Sequence, residues 1–159
     1  MAKALVAYYS STGHTKRMAD EIAAALVKEG MNVTNKDIAQ VSAEELINYD
    51  ALVFGSPTYY GAMAYQVKKI LDESVVLHGR LDGKIGAAFS SAANIAGGNE
   101  TTILDILHAF LIHGMIIQGD PQGDHYGPVG IASPNERTIN ECKRLGKRVA
   151  DLARKLFDK

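Results

Sequence analysis

Within six residues the chain gathers four hydroxyls and a glycine, Ser10-Ser11-Thr12-Gly13-His14-Thr15, directly before a helical pattern that begins near Lys16. Glycine lets a ligand approach the backbone, free N–H groups at a helix start favour an anion, and hydroxyls add donors; together these are the parts of a phosphate cradle. Plain helix capping would use only one or two of the hydroxyls. The spelling is neither a P-loop nor a Gly-x-Gly-x-x-Gly turn, which weakens ATP-type and dinucleotide readings. A second stretch, Gly55-Ser56-Pro57-Thr58-Tyr59-Tyr60-Gly61, sets two adjacent tyrosines between turn-forming residues. Such a pair suits a flat conjugated ring that stacks on one or the other; the alternative is one tyrosine capping the core beside an ordinary surface one. A third, Ser90-Ser91-Ala92-Ala93-Asn94-Ile95-Ala96-Gly97-Gly98, is small and flexible, so its backbone can hydrogen-bond the polar rim of a ring. A fourth, Gly123-Asp124-His125-Tyr126-Gly127-Pro128, is placed to fold back over the same region.

These stretches have to be carried by a scaffold, and the chain alternates short β-rich runs with longer helical patterns five times, as βα units on a parallel sheet do. Ala4–Tyr9, Ala51–Gly55, Ile85–Phe89 and Met115–Ile117 read as strands covered on both faces. Asn32–Ile38 is more polar and alternates, which suits an edge. Met18, Ile22 and Leu26 recur at helical spacing, and so do Met63, Val67, Ile70 and Leu71. Ile103 through Leu111 is apolar over an arc wider than one sheet can cover. Ser133-Pro134-Asn135-Glu136 predicts a capping box with Ser133 as N-cap, and the helix after it places Cys142 among packing residues. Right-handed crossovers with the polar second strand at an edge give a doubly wound five-stranded parallel sheet of order 2-1-3-4-5, helices on both faces. Ligands of such sheets bind beyond the carboxyl ends of the strands where the winding reverses. A phosphate cradle and a ring cradle on neighbouring loops of that edge describe a mononucleotide with an aromatic head, for which flavin mononucleotide (FMN) fits best.

Composition sets limits on partners. The 159 residues make one domain, 1–159, and 17 basic against 18 acidic residues leave a net charge of −1 with no basic field for nucleic acid or an anionic membrane. Residues 1–80 carry 8 basic and 9 acidic groups and residues 81–159 carry 9 and 9, so no half is biased. A single cysteine excludes an internal disulfide. No apolar run reaches a membrane span and no signal-peptide pattern opens the chain, so a cytoplasmic location is expected. His108 and His113, five apart, are out of phase on a helix, and no metal is expected.

The three loops, Ser10 to Thr15, Gly55 to Gly61 and Ser90 to Gly98 with Asn99-Glu100-Thr101, resemble in order the flavin-binding loops of the flavodoxin superfamily. The resemblance runs over nearly the whole chain and is greatest to the WrbA-type NAD(P)H:quinone oxidoreductases, through Pro57-Thr58, Tyr60-Gly61, Ser90-Ser91, Gly97-Gly98, Glu100-Thr101 and Tyr126-Gly127. It implies FMN as cofactor, NAD(P)H as hydride donor and a small quinone as acceptor, both meeting one flavin face. Ser10, Ser11, Thr12, Gly13, His14 and Thr15 would hold the phosphate. Pro57, Thr58, Tyr59, Tyr60 and Gly61 would flank the ring, and Ser90, Ser91, Ala92, Ala93, Asn94, Gly97 and Gly98 its pyrimidine edge. Tyr126 is the candidate for the substrate side, and His125 for proton delivery to a quinone oxygen. The chain is shorter than typical WrbA-type enzymes after the second strand and around the fifth. A homo-oligomer is expected from the broad arc of the fourth helix and from the family. Two other readings stand beside the enzyme. One is a flavodoxin-type carrier that passes single electrons between redox proteins. The other is a flavin-free receiver domain, which needs clustered acids after the first strand and an Asp after the third, where this chain has Ser10-Ser11 and Ser56-Pro57.

Overall fold

The computed structural model describes residues 1–157; the last two residues of the expected 1–159 domain lie outside the described residues. The elements are β1 (Lys3–Tyr8), α1 (His14–Lys28), β2 (Asn32–Asp37), β3 (Ala51–Tyr59), β4 (Ala62–Met63), α2 (Tyr65–Glu73), β5 (Ile85–Ala92), α3 (Asn99–Ile112), β6 (Ile116–Ile117), β7 (Val129–Ile131) and α4 (Glu136–Phe157). They form a flavodoxin-like α/β fold, with sheet order β2-β1-β3-β5-β6, β7 also on β5, and β4 antiparallel on β3.

Where the sequence predicts five strands, the sheet has seven. The expected strand Met115–Ile117 pairs only through Ile116 and Ile117, against Ile85 and Gly86. The chain then leaves the sheet for residues 118–128, whose Gly119-Asp120-Pro121-Gln122-Gly123 is turn chemistry, and returns as β7 beside Ser90–Ala92. β3 also runs past its expected end at Gly55 to Tyr59. Pro57 is tolerated there because β1 pairing stops at Tyr8 with Gly55, so no neighbour on that side requires its missing N–H.

Successive β1 residues point to opposite faces, and each face has its own helix pair. Ala4, Val6 and Tyr8 pack with Met18, Ile22 and Leu26 of α1 and Cys142, Val149 and Ala153 of α4. Leu5 and Ala7 pack with Val67, Ile70 and Leu71 of α2 and Ile103, Ile106, Leu107 and Phe110 of α3. The α3 arc does exceed what the sheet covers, since Leu111 and Ile112 stay exposed. Burial pushes the Cys142 thiol up to about 12, which keeps it protonated and inert. The cap of α4 is Asn135 rather than Ser133. Its amide oxygen accepts from the Thr138 N–H at 3.0 Å, and its carbonyl accepts the first helical bond, from Ile139 N–H at 2.9 Å. Pro134 therefore precedes the cap instead of following it, and Glu136 opens the helix.

Candidate functional site

The first loop is tighter than the sequence predicts. Gly13, in the left-handed region at φ +91°, is the residue before α1; Ser10 Oγ accepts its N–H at 3.1 Å, and no side chain caps the helix. The helix therefore starts at His14, and its first turn has uncapped N–H groups with no acidic residue among them, the electrostatics an anion requires. Ser11, Thr12 and Gly13 are exposed and Ser10 and His14 half-buried. Thr15 lies on the buried side of α1, where its hydroxyl pairs with Ser91 Oγ at 2.9 Å and ties the helix to β5.

The two tyrosines belong to a hairpin that the sequence does not announce. Tyr59 pairs with Ala62 across a two-residue loop, Tyr60 at φ 51° and Gly61 at φ 79°, the type I′ turn that matches strand twist. A non-glycine residue there is strained, and Tyr60 is also fully exposed. Tyr59 reaches back to the first loop, where its hydroxyl donates to Ser11 Oγ at 3.1 Å. Tyr9, also absent from the predicted set, meets the Tyr59 ring edge-on at 6.3 Å; desolvation and the neighbouring Tyr59 push its phenol above the usual value.

The hairpin is fastened to the start of α3. Thr101 Oγ1 donates to Gly61 O at 2.6 Å, and Thr102 Oγ1 donates to Thr58 Oγ1 at 3.0 Å. Gly98, at φ +106°, lies so close that a Cβ on it would sit 2.8 Å from Gly61 Cα. Ser90 is fully buried, and its hydroxyl donates to Asn99, which fixes the start of α3. Pro57 and Thr58 are half-buried. Ala93, Asn94 and Gly97 are exposed, Ala92 and Gly98 partly so, and Gly97 N–H closes a turn on Asn94 O at 3.2 Å. Asn99 and Thr101, which enter the sequence reading only through the resemblance, are positioning residues, and so is Thr102, which periodicity hides because as part of a helix it carries no loop signal.

His125 and Tyr126 lie in the segment that leads into β7, which runs beside Ser90–Ala92. Gly127 rests on the Ala88 carbonyl with no room for a side chain, which sets the segment against the outer edge of β5. His125 Nδ1 donates to Asp120 O at 2.7 Å and its own carbonyl accepts from Asp120 N–H at 3.0 Å. Its ring thus closes its own loop. Arg144 beside Asp120 holds that carboxyl well below the usual range and ties the loop to α4. Tyr126 is half exposed at this edge.

Ser11 to Tyr59, and Gly61 to Thr101, join all three loops into one rim at the carboxyl ends of β1, β3 and β5. A flavodoxin domain matches residues 5–103, which span that rim. The chain belongs to the flavodoxin family. An Archaeoglobus fulgidus protein named NAD(P)H dehydrogenase (quinone) is 34% identical over 190 residues, covering 98% of this chain and all of the relative. That span exceeds the 159 residues here, so the relative carries insertions. Among solved structures, a flavodoxin from the domain Archaea is 31% identical with a TM-score of 0.79 over 96% of this chain and 99% of its own. A flavodoxin, WrbA-like protein from Agrobacterium tumefaciens is 25% identical with a TM-score of 0.83 over 98% and 99%. No helix among the described residues is long and apolar enough to cross a membrane.

The rim fits a flavin nucleotide on its own chemistry. One end offers uncapped N–H groups and exposed hydroxyls without acids, and the other offers exposed aromatic faces beside the exposed, mostly small-residue backbone of 93–97.

Proposed function

We propose that this flavodoxin-family chain is an FMN-dependent NAD(P)H:quinone oxidoreductase acting on small quinones in the cytoplasm. The observation that carries the reading is the continuous rim from Ser11 through Tyr59 and Gly61 to Thr101, which holds a phosphate-suited end and a ring-suited end at fixed separation. Bound there, FMN would supply hydride acceptance and donation at its ring, chemistry that no side chain of this protein offers.

The protein's own residues bind and orient. Ser10, Ser11, Thr12 and His14 present donors to the phosphate, and Gly13, its N–H given to Ser10 Oγ, shapes the loop for its approach, with no opposing carboxylate in the first helical turn. Tyr59 and Tyr60 give the ring an apolar wall, Thr58, Thr101 and Thr102 hold that wall still, and Asn94 with the Ala92–Gly98 backbone meets the polar rim. Exposed Tyr60, Ile95 and Tyr65 surround the opening with apolar surface suited to a flat quinone. His125, its Nδ1 bonded to Asp120 O inside its own loop, would deliver the proton to a quinone oxygen from Nε2. Tyr126 faces outward at the sheet edge, where in a homo-oligomer it would meet a second copy.

Likeness to a flavodoxin at 31% identity over nearly the full chain favours one further reading, a one-electron carrier. FMN-loaded protein mixed with NADH or NADPH and benzoquinone separates the two. Quinone-dependent oxidation of the nucleotide is expected; a rate no higher than without quinone would leave the carrier.

A further inference from the structure

Tyr59 stands in two places at once. Its ring closes the ring end of the rim, while its hydroxyl donates to Ser11 Oγ, 48 residues earlier, in the phosphate loop. Both side chains are exposed, so burial does not force the contact. The ring is aimed there from two sides. Pairing of Tyr59 with Ala62 fixes its backbone, and Tyr9 lies edge-on against it at 71°, itself anchored through its N–H to Gly55 O at 3.1 Å.

A serine hydroxyl has one proton to give and two lone pairs to accept with. Ser10, its neighbour, already uses a lone pair to close the loop on Gly13 N–H. Ser11 accepts from Tyr59, and among the described residues its own hydroxyl proton has no hydrogen-bond acceptor. An O–H that accepts one hydrogen bond becomes a stronger donor in the next, because the chain of dipoles polarises in one direction. Its target would carry negative charge, where such bonds are strongest.

We propose that Tyr59 is a positioning residue for phosphate recognition as well as a ring wall, acting through Ser11 in a directed chain from Tyr59 Oη–H to Ser11 Oγ–H to a phosphate monoester. This rests on the flavin reading of the rim. The consequence is discrimination: the chain contributes to binding of a phosphorylated flavin and nothing to binding of the same ring without phosphate. Phenylalanine at 59 keeps the ring and removes only the donor, so the two functions of the side chain separate.

The test is a set of dissociation constants for FMN and for riboflavin, read by quenching of flavin fluorescence, with the wild type, Tyr59→Phe, Ser11→Ala and the double variant. FMN affinity should fall roughly tenfold in each single variant while riboflavin affinity stays within about twofold of the wild type. The double variant should be no weaker toward FMN than the weaker single one, as for two groups acting through one path. Equal weakening toward both flavins in Tyr59→Phe, no weakening toward either, or losses that add in the double variant would each overturn the proposal while leaving the flavin site intact. A wild type that takes up neither flavin overturns the flavin reading itself. A thermal melt of each variant matching the wild type within a few degrees confirms that the comparison is between folded proteins.

Discussion

Thr101 donates its side-chain hydroxyl to the carbonyl of Gly61 at 2.6 Å, fastening the tip of the Tyr59–Ala62 hairpin to the first turn of α3. The bond joins parts of the chain 40 residues apart, and it holds in place a turn whose first residue, Tyr60, adopts a conformation that costs energy on its own. Thr101→Val keeps the shape and removes the donor. Stability should fall by about 1 kcal/mol, the net worth of one hydrogen bond, and FMN affinity should fall with it as the hairpin gains freedom. Urea unfolding and a flavin titration check both; a change in stability with unaltered flavin affinity would show that the hairpin does not need the latch.

The two glycines before helices should respond differently to alanine. Both occupy the left-handed region, Gly13 at φ +91° and Gly98 at φ +106°. At Gly13 an added Cβ meets nothing within 4 Å, so Gly13→Ala carries only the backbone cost, about 1 kcal/mol. At Gly98 the same atom would lie 2.8 Å from Gly61 Cα and 3.2 Å from both Thr101 and Thr58 side chains, so the hairpin must move. Gly98→Ala should cost about 2–3 kcal/mol or more and lower Tm by several degrees beyond Gly13→Ala. Calorimetry on the two variants, side by side, decides it.

What is legible in the sequence follows from which signals are local. The runs around Val6, Val53 and Ala87 announce buried strands because parallel strands are apolar on both faces, and the polar Asn32–Asp37 run announces the edge. The loops are legible because Gly13, Gly61 and Gly98 are needed at positive φ, a requirement of the backbone alone. Contacts across the rim are not legible. Nothing near Ser90 says that it will face Asn99, and nothing near Thr15 says that it will face Ser91, so a hydroxyl that fastens two elements reads the same as one that meets a ligand. The split of the last strand is hidden for a similar reason: Met115–Ile117 is a sound strand by composition, but the turn residues after it interrupt the pairing with β5.

Asp120 organises the excursion between β6 and β7. Its carboxylate accepts from Gln122 N–H at 2.9 Å, from Gly123 N–H at 3.2 Å and from Arg144 Nη2 at 2.8 Å. The Arg144 guanidinium, ahead of the two backbone donors, holds the carboxyl well below its ordinary value. Asp120→Asn removes the charge and keeps the size. It should cost about 1–3 kcal/mol and release residues 118–128 from α4, seen as faster amide hydrogen exchange in that segment with the sheet still protected. If Tyr126 contributes to quinone binding across a subunit contact, KM for benzoquinone should rise in the same variant while FMN affinity holds. Unchanged exchange in 118–128 would show that the backbone pairing of Asp120 with His125 suffices.

His113 gives stability a dependence on mildly acidic pH. It is buried at the end of α3, with Nε2 at 2.7 Å from Ser74 Oγ and no partner for Nδ1. The Ser74 hydroxyl donates to Leu71 O at 2.6 Å, so Nε2 carries the proton and the ring is neutral. Desolvation, and then the neighbouring His78, lower its pKa from the ordinary histidine value. In the unfolded chain the imidazole takes up a proton near pH 6.5, whereas in the fold it does so only at lower pH. Between those values the unfolded state binds more protons, so stability is full above about pH 6.5 and declines as the pH falls toward the folded value. Urea unfolding at about pH 7.5 and about pH 5.5 should show the wild type weaker in the acid. His113→Leu should lower stability at both, through the lost bond to Ser74, yet narrow the gap between them; an unchanged gap would assign the acid sensitivity to another group.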